Sequence, residues 1–146
     1  AAAGVVDGQA WLIPGPSGTG KSTAAREAGF SSVLSDERVA VIQGEDGWQV
    51  WGTPFWSEGQ TLPMNPNYTP LAGMIKLVKD QTFHTQILDT GSALVHLMES
   101  ITLYETCPMA RTRAFEAAHD IVTNHRSVEI NTPRALAWAA PSRWAA

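Results

Sequence analysis

The stretch IPGPSGTGKSTAA, residues 13–25, sets three glycines and a lysine between an apolar run and an alanine-rich segment. Gly15, Pro16, Ser17, Gly18, Thr19, Gly20, Lys21 and Ser22 fit G-x-x-x-x-G-K-[ST], the P-loop (Walker A) pattern. Glycines admit positive φ and let the backbone come close to a ligand. Successive N–H groups then face one concavity, which suits phosphate oxygens. A helix beginning at Lys21 aims its positive end at the same point. In this chemistry Lys21 reaches the β- and γ-phosphates, and the Ser22 hydroxyl binds Mg²⁺.

Phosphoryl transfer also needs a carboxylate for the metal and a group that orients the nucleophile. Two places supply acids. LSDERVAVI offers Asp36 and Glu37 directly after a short apolar stretch, and QILDTG offers Asp89 after Ile87 and Leu88. Asp89 stands before a helix pattern, so capping is its expected job and metal binding the alternative.

The elements that must position these residues alternate along the chain. GVVDGQAWLI (4–13) reads as two strands joined at Asp7-Gly8, a hairpin signal. AWLI (10–13) then leads into the loop, and KSTAAREA (21–28) into a helix capped near Gly29. Two strand-like pieces, 33–34 and 39–43, flank the acidic kink, and EDG (45–47) turns the chain into 48–52. Residues 53–70, with Pro54, Pro63, Pro66 and Pro70, read as a long loop. A strand is expected over 72–79, helices over 89–101 and 108–125, and a last strand over 127–130. So strand-rich an opening is unlike a plain βαβαβ nucleotide fold. It predicts a mixed, strongly twisted sheet with helices packed on it.

With 146 residues, 44% of them hydrophobic, the chain is expected to be one globular domain over 1–146 with a real core. Net charge is −4 and the basic residues are scattered, which excludes a nucleic-acid stripe and confines phosphate binding to the loop. No apolar run approaches the about 18 residues of a membrane span, and no signal peptide is visible. A cytoplasmic protein, with ATP at hand and no membrane or nucleic-acid partner, is the expectation. The opening AAAGVVDG lacks Met, which leaves room for a missing natural N-terminus. Cys107 is the sole cysteine and reads as a small apolar side chain. His84, His96, His119 and His125 lack zinc-ligand spacing; His96 reads as a partly buried packing residue. Arg111 and Arg113 read as a solvated helix face. Trp48, Trp51, Phe55 and Trp56 either cover a ligand or fill the sheet. The tail 134–146 docks on the domain or on a second copy in a homo-oligomer.

AGVVDGQAWLIPGPSGTGKSTAAREAG and, after it, VLSDERVAVI resemble the catalytic domain of HPr serine kinase/phosphorylases, and most of all its shorter HPr-kinase-like members. The likeness covers residues 4–42, and GWQVWGTPFWSEGQ (47–60) extends it. The resemblance implies an α/β fold, a mixed twisted sheet of the HPr kinase/phosphoenolpyruvate carboxykinase type. It implies ATP and Mg²⁺ as cofactors, and a serine hydroxyl on a small protein or peptide as acceptor. It gives the phosphate-binding role to the residues from Gly15 to Thr23, with Ser22 and Asp36 on the metal. Asp36 and Glu37 share the role of base that takes the serine proton; Lys21, Asp36 and Glu37 are thus the catalytic set. Glu37 stands where the family often has Asp. The longer enzymes carry His-Gly where this chain has Ala3-Gly4, and an Arg-Gly-rich signature where GTPFWSEG stands, with Glu58 as a polar contributor or a plain loop residue. Reverse phosphorolysis is therefore not expected. A nucleotide-binding regulatory module without transfer, and a small-molecule kinase, are the alternatives.

Overall fold

The computed structural model describes residues 1–55, 67–103 and 107–133. Trp56, Glu58 and the tail beyond Pro133 lie outside these residues. Among the described residues there are eight strands and three helices: β1 Ala2–Val6, β2 Gln9–Ile13, α1 Lys21–Glu27, β3 Ser32–Ser35, β4 Val39–Gly44, β5 Gly47–Gly52, β6 Thr69–Lys79, β7 His84–Ile87, α2 Thr90–Met98, α3 Pro108–Asn124 and β8 Arg126–Thr132. No helix among the described residues is long and apolar enough to cross a membrane.

The first hairpin follows from its turn. Asp7 (φ 49°) and Gly8 (φ 75°) both take the left-handed conformation that a two-residue hairpin turn requires. β1 and β2 then pair antiparallel from Val6–Gln9 out to Ala2–Ile13. The sheet runs β3-β1-β2-β6-β5-β4, and β8 joins β6 with β7 beyond it. It is mixed: β2, β6 and β8 lie parallel, while β1–β2, β1–β3, β4–β5, β5–β6 and β7–β8 are antiparallel. The chain is thus a mixed α/β structure, as the hairpin and the strand-rich opening lead one to expect.

Alternation along the strands builds two cores, one on each face. Trp11, Ile13, Ile75, Val128 and Ile130 face Ala24, Ala25 and Ala28 of the α1 segment. Ala10, Leu12, Leu71 and Met74 face Ala93 and Leu97 of α2 and Ala118, Ile121 and Val122 of α3. Helices therefore cover both faces of the central parallel strands, the arrangement such buried strands need.

Three features differ from the sequence reading. Thr69 and Pro70 belong to β6, where Pro70 pairs with Gln49 near the strand's start. A proline is tolerated there because a strand end asks less of its missing N–H. β7 carries no apolar pattern, all four residues being exposed, so periodicity could not mark it. Cys107 is exposed and caps α3, its Sγ accepting from Ala110 N at 3.4 Å; it is a terminus residue, not an apolar filler.

Candidate functional site

The loop between β2 and α1 takes its shape from its glycines. Gly18 (φ 83°) and Gly20 (φ 94°) sit in the left-handed region, and a Cβ at either would meet no atom within 4 Å. Gly20 also stands at the N-cap of α1, which has no side-chain cap, so the first N–H groups of the helix are not covered by a capping side chain. Within the loop, Thr19 Oγ1 donates to Pro16 O at 2.9 Å and Lys21 Nζ to the same oxygen at 2.6 Å. Burial pushes the Lys21 ammonium below its ordinary range, and the nearby Glu37 carboxylate works against that shift.

β3 delivers the acids. Asp36 and Glu37 follow its last residue, Ser35, which is fully buried. Ser35 Oγ donates to Phe55 O at 2.8 Å and accepts from Glu37 N and Arg38 N, each at 3.1 Å. A hydroxyl bonding backbone two and three residues ahead is a local turn device, and here it ties the acidic turn to the segment after β5. Thr53 adds a second tie, Oγ1 donating to Arg38 O at 2.6 Å. The Arg38 guanidinium lies over the Phe55 ring, 5.5 Å from its centre. The turn leaves Asp36 buried, at 5% exposure, and Glu37 exposed.

A cleft of about 640 Å³ joins the two segments. Gly15, Ser17, Gly18, Thr19, Gly20, Lys21, Ser22 and Thr23 line one side, and Asp36, Glu37 and Arg38 another. Lys79, Glu99, Ser100, Thr102 and Thr132, from the ends of β6, α2 and β8, complete it. The structure thus brings together every residue expected from the motif except Pro16, whose carbonyl instead receives Lys21 and Thr19.

Asp89 lies apart. It belongs to a shallower recess with Lys76, His96 and Glu99, and does not line the cleft. Its carboxylate caps α2, accepting from Ser92 N at 2.9 Å and from Ser92 Oγ at 2.6 Å. Those bonds hold its carboxyl below the usual carboxylate range.

Two residues near the loop carry more than the sequence reading gave them. Lys79 Nζ donates to Gly18 O at 2.7 Å. His96 Nε2 lies 3.2 Å from Pro14 O, tying α2 to the start of the loop. Desolvation lowers the His96 pKa and so favours the neutral ring, which can donate to that carbonyl. Neither lysine nor histidine has a neighbour in sequence that would reveal the contact. Ser35 did carry a signal, a hydroxyl directly before the acidic turn. Compared with protein-family models, with curated proteins and with solved structures, the chain matches none.

Proposed function

We propose that this chain is an ATP- and Mg²⁺-dependent P-loop serine kinase of the HPr kinase/phosphorylase type. It would transfer the γ-phosphoryl group to a serine hydroxyl on a small protein or peptide. What supports this most is the meeting of the glycine-rich loop and the acidic turn across one cleft, although α1 and β3 separate them in the chain.

The residues suit the groups they would hold. The cleft volume falls in the range of small-molecule sites, roughly 300–1,000 Å³. Gly18 and Gly20 take positive φ and line the cleft, the setting in which successive backbone N–H groups can serve phosphate oxygens. Ser22 and Asp36 offer hard oxygen donors of the kind Mg²⁺ prefers. When bound, Mg²⁺ supplies positive charge to the β- and γ-phosphate oxygens as charge shifts between them.

The chain's own residues do the rest. Lys21 turns its ammonium from Pro16 O to a phosphate oxygen. Asp36, buried beside the loop, holds the metal with Ser22. Glu37, on the open side, is better placed to meet an incoming hydroxyl, with Asp36 behind it. The acceptor proton passes to that carboxylate as the serine oxygen bonds to phosphorus and the bond to the β-phosphate breaks. Positioning and electrostatics supply most of the rate in such a site.

The test is incubation with MgATP and a mixture of serine-containing peptides, read by the mass gain of one phosphoryl group. Transfer that Lys21→Ala abolishes supports the reading. Nucleotide binding with no transfer to any acceptor would make the chain a regulatory module, and transfer only to small alcohols a small-molecule kinase. Absence of nucleotide binding refutes the P-loop assignment.

A further inference from the structure

Lys79 is the last residue of β6, and its position is fixed by pairing. The parallel register of β6 and β8 runs unbroken from Gly73–Arg126 to Lys79–Thr132. Side chains alternate along a strand. Ile75 and Leu77 pack with the core that carries α1, so Lys79, two residues further, projects on that same side. It emerges past the end of the core, at the rim of the cleft, where its Nζ donates to Gly18 O at 2.7 Å.

That contact uses one of three N–H donors on the ammonium. The partner is a neutral carbonyl at the tip of the loop, and Lys79 itself is exposed. The cleft is lined by four acidic side chains, Asp36 and Glu37 among them, and by three cationic side chains, Lys21, Arg38 and Lys79. A polyphosphate entering there adds several negative charges to a site whose side chains carry no excess of positive charge. Arg38 is engaged with Phe55. Lys79, standing on the loop itself, has donors to spare and needs only a side-chain rotation to turn them inward.

Resting on the phosphate-binding reading above, we propose that Lys79 is a second cationic ligand for the phosphates of a nucleoside di- or triphosphate, held at the loop tip by Gly18 O. It acts alongside Lys21, from the end of β6 and not from the start of α1. A charged hydrogen bond to phosphate of this kind contributes on the order of tenfold to a hundredfold in affinity.

Titration of MgADP, MgATP and pyrophosphate into the full chain tests this, with Lys79→Arg, Lys79→Gln, Lys79→Met and Lys21→Ala alongside. Glutamine keeps a donor for Gly18 O but loses the charge; arginine keeps both. Lys79→Gln and Lys79→Met should weaken MgADP binding about tenfold or more, and Lys79→Arg less than about threefold. Melting without ligand should stay within about 2 °C of the parent in all three, because an exposed contact adds little to stability. Parent-like MgADP affinity in Lys79→Gln and Lys79→Met overturns the assignment. Equal losses in all three Lys79 variants with lowered melting would make the residue a mere brace, which also overturns it. If Lys21→Ala loses binding while the Lys79 variants do not, Lys79 alone fails. If the parent chain binds none of the three probes, the phosphate reading fails and Lys79 with it.

Discussion

Ser35→Ala strips three hydrogen bonds from the turn that carries the two acids. The buried hydroxyl holds Phe55 O, Glu37 N and Arg38 N. Glu37, Arg38 and Phe55 lie at the surface, so water takes over part of each bond in the variant. Each loss then counts about 0.5–1 kcal/mol, below the penalty for a fully buried orphan, and the sum is about 2 kcal/mol. For a chain of this length that lowers the melting temperature by about 6 °C. On the proposed function, the larger effect should fall on transfer. Asp36 and Glu37 are set by this turn, and misplacing a catalytic group by about 1 Å costs on the order of 10²-fold in rate. Nucleotide affinity without Mg²⁺ should barely change, because these three bonds of Ser35 run to the acidic turn and Phe55 and not to the glycine-rich loop. Thermal melting, a transfer assay and a Mg²⁺-free nucleotide titration on one preparation give all three quantities. A variant that melts within about 1 °C of the parent and transfers at the parent rate would refute the role given to this turn.

Glu37→Gln should leave nucleotide binding intact and slow transfer by roughly 10²–10⁴-fold, the usual worth of a general base; steady-state rates at saturating MgATP check this. Asp89→Ala removes the cap on α2, so it should lower the melting temperature while leaving nucleotide affinity and transfer unchanged, which a melting curve beside the transfer assay decides. Burial holds the His96 pKa below the ordinary imidazole value, so near that pH the folded chain binds fewer protons there than the unfolded one. Its contribution to stability is therefore complete above about pH 6.5 and is lost as pH falls through the lowered folded value. Melting curves from about pH 7 to about pH 5 should show that decline, and His96→Asn, whose amide can still donate to Pro14 O, should flatten it.

Local chemistry made much of this architecture readable. Asp7-Gly8 announces its hairpin because only a two-residue turn with positive φ joins strands that way. The spacing of Gly15, Gly20 and Lys21 announces the loop, and Asp89 its cap, since each acts within a few residues of itself. The meeting of the loop with Asp36 and Glu37 is a matter of strand order. β3 comes to lie beside β1, and only that pairing carries the acids toward the loop. β7 was illegible because an exposed strand at the outside of a sheet has no apolar alternation to display. Lys79 and His96 were illegible for the same reason as each other. Their partners, Gly18 and Pro14, are far away in sequence, and nothing in the flanking residues encodes contacts made through space.

On the proposed function, the glycine-rich loop and the acidic turn together hold one metal-bound nucleotide. Titration of ATP into the parent chain and Asp36→Asn, across a range of Mg²⁺ concentrations, tests it most directly. ATP affinity should rise with Mg²⁺ in the parent, and that dependence should be weakened or lost in Asp36→Asn, with Mg²⁺-free binding retained in both. Identical Mg²⁺ dependence in the two proteins would contradict it.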